Sequence, residues 1–165
     1  MRPRSSMKPL SLTTEAIAEL LSTTQWTHDF DQKDFIPLAL KMRAYEVAAN
    51  EIIFQEGDHE QYMAIICKGR VEIIKTGSRK EDSVIASLNQ GQSLGEMCLI
   101  DGDSRSAKAI AKTDSILLVF EKAGLEQLKI ENPEVAIKIT WKLAQMLSHR
   151  LRKTSGLLTD FLSNP

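Results

Sequence analysis

The apolar positions change their period twice along the chain. Over residues 13–44 they recur at helical spacing, with Ile17, Leu20 and Leu21 on one face and Thr13 or Thr14 placed as an N-cap. A second helix starts at Asp31 or Asp34. Proline is tolerated in a first turn and awkward deeper, so Pro37 favours the later start. Trp26, Phe30 and Phe35 read as core. Over residues 45–121 the pattern shortens to strands separated by turn residues. "EVAANEIIFQEGD" is extended and closes on Gly57-Asp58. "YMAIICKGRVEIIKTG" divides at Lys68-Gly69. "SRKED" makes a charged hairpin tip, and "SVIASLNQGQSLG" turns at Gly91. "SRSAKAIAKTDSILLVFEK" breaks at Thr113-Asp114. Short strands at this spacing predict a sandwich or barrel.

From residue 122 the helical period returns. "AGLEQLKI" is a short amphipathic piece. Asn132, Pro133 and Glu134 then supply an N-cap, a first-turn proline and a first-turn acid for a long helix. That helix carries two apolar faces. Val135, Ile139, Leu143 and Met146 form one stripe. Thr140, Ala144, Leu147, Leu151, Thr154, Leu158 and Phe161 alternate in steps of four and three, as a heptad seam does. The second face packs against another copy of the chain or into a groove of its own domain. Gly156 either ends this helix or hinges it. The basic start, "MRPRSSMKPL", has no apolar core behind it and reads as an unstructured tail over residues 1–12.

Composition narrows the function class. The chain has 165 residues and a net charge of −1, a size suited to one domain and a charge unlike that of a general nucleic-acid binder. No apolar run reaches the roughly 18 residues of a membrane span. Cys67 and Cys98 are too far apart for a CxxC motif, so a reducing cytoplasm is the expected setting. His28, His59 and His149 lack metal-ligand spacing, no GxSxG or Walker loop occurs, and the acid pairs Glu81-Asp82 and Asp101 with Asp103 lie in loops. No enzyme and no metal site are expected.

The chemistry concentrates in "LGEMCLIDGDSRSA", residues 94–107. Gly95 opens a short helical turn whose first N–H groups lack internal partners and suit an anion. Arg105 brings a planar fork for phosphate oxygens, Ser106 a hydroxyl, and Ala107 little bulk. Glu96 repels a phosphate but accepts a hydrogen bond from a neighbouring sugar hydroxyl. Two readings fit this spacing: a sugar-phosphate site, or an acid at a helix start beside an ion-paired arginine.

The stretch resembles the phosphate-binding cassette of cyclic-nucleotide-binding domains, roughly F-G-E-x-A-L-I-…-R-[AST]-A. Here it reads Leu94-Gly95-Glu96-Met97-Cys98-Leu99-Ile100, then Arg105-Ser106-Ala107. "IIFQEGD", "CKGRVEII" and Gly91 extend the resemblance over about residues 25–155. It departs from the pattern at Leu94 and Cys98. It implies a mainly β fold: an eight-stranded, jelly-roll-like β-roll over residues 45–121, N-terminal helices over 13–44 and C-terminal helices over 122–165. It also implies cAMP or cGMP as ligand. Arg105 and Ser106 would meet the cyclic phosphate, with backbone amides of Gly95, Met97, Cys98 and Ala107. Glu96 would hold the ribose hydroxyl.

"RLRKTSG" further resembles the helix of catabolite activator type proteins. That resemblance implies base contacts from Thr154 and Ser155, support of Glu96 by Arg150, and a homodimer through the long helix. Ser106 favours cAMP. No helix-turn-helix follows within the sequence, so direct DNA binding is not expected. The resulting expectation is a stand-alone nucleotide sensor that signals to a dimer interface or an unidentified protein partner. The alternatives are a docking module that keeps the fold without the ligand, and a redox or gas sensor. The lack of an N-terminal cysteine cluster counts against an iron–sulfur form of the last.

Overall fold

The β-region folds because its strands alternate between two apolar environments. In the computed structural model, which describes residues 7–77 and 81–163, Tyr62, Ala64 and Ile66 of one strand face a core between two sheets. Met63, Ile65 and Cys67 of the same strand face a second core beneath the helices. That strand is therefore buried on both faces, which explains its unbroken apolar run.

Nine strands occur among the described residues: β1 (Met7–Leu10), β2 (Met42–Val47), β3 (Ile52–Phe54), β4 (Tyr62–Lys68), β5 (Arg70–Thr76), β6 (Asp82–Asn89), β7 (Ser93–Leu94), β8 (Lys108–Ala111) and β9 (Ser115–Glu121). One antiparallel sheet has the order β1-β2-β9-β4-β7, the other β3-β8-β5-β6. The helices are α1 (Thr14–Ser22), α2 (Gln32–Ala39), α3 (Glu96–Asp101), α4 (Lys122–Glu131) and α5 (Pro133–Ser163). A 3-10 turn, Gln25–Thr27, lies between α1 and α2. Ile17, Leu21, Leu38, Leu125, Leu128, Val135, Ile139 and Leu143 lay the helices against the outer face of the five-stranded sheet.

Three expectations need correction. Residues 7–10 are not an unstructured tail: they pair with the outer edge of β2, and Met7 is buried between the sheets. This raises the strand count from the expected eight to nine. The second helix starts early, at the Asp31 cap. Asp31 and Asp34 close a reciprocal capping box, which outweighs the cost of Pro37 inside the helix. Gly156 neither ends nor interrupts α5, which runs to Ser163. Thr13 does cap α1, its hydroxyl accepting from the Ala16 amide at 3.2 Å. Residues 1–6 of the tail, and Ser78, Arg79 and Lys80 of the charged tip, lie outside the described residues.

Helix α5 behaves as two segments. Val135, Ala136, Ile139 and Leu143 are buried, and Met146 packs against the same core. Lys138 bridges Asp31 and Asp34 at 2.6 Å each, and Lys142 meets Asp29 at 2.8 Å. From Leu151 to Ser163 every side chain is exposed. Of the basic side chains of α5, Lys142 and Arg150 are ion-paired, while Arg152 and Lys153 face solvent.

Candidate functional site

The cassette is built on a clamp of backbone hydrogen bonds. The Arg105 amide donates to the Asp58 carbonyl at 2.7 Å, and the Gly57 amide donates to the Arg105 carbonyl at 2.8 Å. The Asp58 carboxylate accepts from the Gln55 amide at 2.8 Å and shapes the turn that holds Arg105. Lys75 ties Glu56 at 2.6 Å and also donates to the Ser106 carbonyl. The loop between α3 and β8 is thus fastened at its arginine from both sides.

Gly95 caps α3 with φ +77°, a conformation that suits glycine. A Cβ there would run into Arg105 Nη1 and lie 3.1 Å from the Tyr62 carbonyl. The glycine therefore makes room for the guanidinium as well as shaping the turn. At the other end, Gly102 (φ +77°) closes α3, its amide donating to the Cys98 carbonyl at 3.1 Å.

Arg105 is almost wholly buried, at 3% exposure. Its Nη1 donates to the Gly95 carbonyl at 3.0 Å and to Cys98 Sγ at 2.7 Å. The guanidinium carbon lies 4.1 Å from the Phe54 ring centre and 4.3 Å from that of Tyr62. The sequence gives Phe54 and Tyr62 no role, because an aromatic in an apolar strand reads as core. Their positions on either side of the Glu56-Gly57-Asp58 turn are the only signal of their role.

Glu96 is fully buried, and one of its oxygens accepts from Arg150 Nη1. Arg150 Nη2 also donates to the Ser93 carbonyl at 3.3 Å. Burial lowers the pKa of Arg150 from its ordinary value. The long helix therefore reaches the cassette through Arg150. Met97 and Ser106 lie at the surface, the Ser106 hydroxyl donating weakly to Met97 Sδ at 3.9 Å. Cys98 and Ala107 are buried. Thr154 and Ser155 stand on the exposed extension beyond Arg150, so their own chain leaves them open to solvent.

Among the described residues, four buried side-chain polar atoms lack a hydrogen-bond partner. Three of them are Arg105 Nε, Arg105 Nη2 and Glu96 Oε2. A buried polar group left unsatisfied costs about 1–3 kcal/mol, and more when charged. Their concentration in one cassette fits a ligand carrying both an anion and a hydroxyl. No group of His, Cys, Asp and Glu among the described residues could hold a metal ion, and no helix among them is long and apolar enough to cross a membrane.

Known proteins resemble this chain in sequence and fold. The chain is 34% identical over 111 residues to the Cyclic AMP receptor protein of Thermus thermophilus, covering 67% of this chain and 49% of that one. It is 29% identical over 113 residues to Lysophospholipase NTE1 of Chaetomium globosum, covering 68% of this chain and 7% of the fungal protein. The chain thus spans half or less of either relative. A cyclic nucleotide-binding domain from Methylobacillus flagellatus superposes with a TM-score of 0.82 at 26% identity, covering 94% of this chain and 89% of that one. The Catabolite Activator Protein of Thermus thermophilus gives 0.73 at 28% identity, over 84% and 62%. The profile described as Cyclic nucleotide-binding domain matches residues 45–132, more than half of the sequence, and the chain belongs to that family.

Proposed function

We propose that the chain is a cAMP-binding regulatory domain whose occupancy is relayed through α5. The observation that carries this reading is the pair of unsatisfied buried groups in the cassette, Arg105 Nε and Nη2 on one side and Glu96 Oε2 on the other. A cyclic phosphate supplies acceptors for Arg105, with Ser106 and the amides of Gly95, Met97, Cys98 and Ala107 completing the cradle. The ribose 2′-hydroxyl donates to Glu96. Ser106, and the name of the Thermus relative, support cAMP over cGMP.

The relay follows from Arg150. It holds the acid that the ribose would approach, and it sits where α5 leaves the domain. Beyond it, Leu151, Leu158 and Phe161 of the heptad seam are 69%, 56% and 75% exposed. A free helix with such a stripe buries it against a partner, and a second copy of α5 satisfies the seam. In that dimer Thr154 and Ser155 would read the base. The two free cysteines suit a reducing cytoplasm. No DNA or membrane contact is part of this reading.

Calorimetric titration with cAMP, cGMP and 2′-deoxy-cAMP tests it. Saturable cAMP binding, weakened by loss of the 2′-hydroxyl, is the expected result. No heat and no thermal shift at millimolar nucleotide would leave the fold acting as a docking module alone.

A further inference from the structure

Arg105 has five N–H groups, and only one edge of its guanidinium lacks a hydrogen-bond partner. Its two Nη1 hydrogens are committed, one to the Gly95 carbonyl at 3.0 Å and one to Cys98 Sγ at 2.7 Å. Nε–H and the two Nη2 hydrogens have no partner. The plane of the guanidinium is fixed as well. Phe54 and Tyr62 meet at 74°, and both rings lie against the guanidinium carbon. The Tyr62 hydroxyl is anchored in turn on the Ile53 carbonyl at 3.2 Å.

Cys98 is suited to this contact as a neutral thiol. Burial pushes its pKa up, against the opposing pull of Arg105, so the S–H is retained at neutral pH. The hydrogen has the Gly95 carbonyl at 3.1 Å, and those of Glu60 and Tyr62 at 3.6 Å, as acceptors. The sulfur lone pairs remain for Arg105. An alanine at this position, as in the family pattern, has no such acceptor.

We infer that Cys98 is a positioning residue for the phosphate grip: with the Gly95 carbonyl it occupies Nη1, so that the anion is taken side-on by the Nε–Nη2 edge of Arg105. This rests on the nucleotide-binding reading and adds a direction to it. A fixed fork with two parallel donors presents a defined geometry to the phosphate. The two exocyclic oxygens of a cyclic phosphodiester are not equivalent, and a rigid side-on fork distinguishes them. With one Nη1 acceptor removed, the guanidinium can swivel, and the distinction fades.

The test uses the full chain with cAMP and with its Rp and Sp phosphorothioate diastereomers, in which one or the other exocyclic oxygen is sulfur. Wild type, Cys98→Ala and Cys98→Ser are compared. Wild type is expected to prefer one diastereomer. Cys98→Ala should weaken cAMP about three- to tenfold, the worth of one hydrogen bond to a weak sulfur acceptor, and bring the diastereomer ratio towards one. Cys98→Ser restores an acceptor and should return affinity and ratio to within about twofold of wild type. The penalty for 2′-deoxy-cAMP, which reports on Glu96, should be the same in all three proteins. An unchanged affinity and ratio in Cys98→Ala, or a serine variant no better than alanine, overturns the inference while leaving nucleotide binding intact. A changed 2′-deoxy penalty also overturns it, because the whole cassette would then have shifted. A wild-type chain that binds none of the three ligands overturns the nucleotide-binding reading and this inference together.

Discussion

Replacing Arg150 with methionine removes the cation from a carboxylate that has no other partner among the described residues. Glu96 is fully buried, its second oxygen is already unsatisfied, and Arg150 alone among the described ion pairs reaches it. Breaking one side of a fully buried pair costs about 3–5 kcal/mol. The side chain of Arg150 is 43% exposed, so water screens part of the interaction, and about 2 kcal/mol is a fairer figure. For a chain of this size that corresponds to a fall in Tm of about 4–8 °C. The assay is urea and thermal unfolding of four proteins: wild type, Arg150→Met, Glu96→Gln and the double variant. Glu96→Gln removes the buried charge, so adding Arg150→Met in that background should cost much less than in wild type. The reasoning fails if Arg150→Met is as stable as wild type, or if its cost is the same with glutamine at position 96.

Other consequences follow from particular contacts. Gly95→Ala forces a side chain into a left-handed conformation and against Arg105; it should cost about 1–2 kcal/mol in unfolding measurements and weaken cAMP binding at least about tenfold in calorimetry. Leu151→Glu with Leu158→Glu places charge on the exposed seam; analytical ultracentrifugation should show a monomer for this variant and, if the proposed seam pairs two copies, a dimer for wild type. The hydrogen bond from Lys138 holds the Asp31 carboxyl below its ordinary value of 3.8. A carboxyl depressed in the folded state stabilises above that value, and the contribution is lost as pH falls through the folded pKa. Lys138→Met should therefore be less stable than wild type near neutral pH, and the difference should narrow below about pH 3.8, as read by urea midpoints across the range. A difference that stays constant with pH would refute this.

The cassette was legible in the sequence because its parts are backbone requirements. Gly95 must turn left-handed beside Arg105, and glycine adopts that conformation without strain. The inner half of α5 was legible because helical period puts Val135, Ile139 and Leu143 on one face, and that face is the buried one. Strand β1 was hidden for the opposite reason. Met7-Lys8-Pro9-Leu10 is short, basic and proline-bearing, and only the free edge of β2 makes it a strand. Pro37 misled because local sterics were weighed without the Asp31–Asp34 capping box. The stacking of Phe54 and Tyr62 on Arg105 joins residues more than forty positions apart, and no local pattern signals such a contact.

The most direct measurement follows the Arg105 Nε–H group itself by nuclear magnetic resonance, assigned by its loss in Arg105→Ala. On addition of cAMP that resonance should move downfield and show coupling to phosphorus, as the unpartnered edge of the guanidinium takes up the cyclic phosphate. An Nε–H resonance that stays in place at saturating cAMP would contradict the assignment of Arg105 as the phosphate-gripping residue.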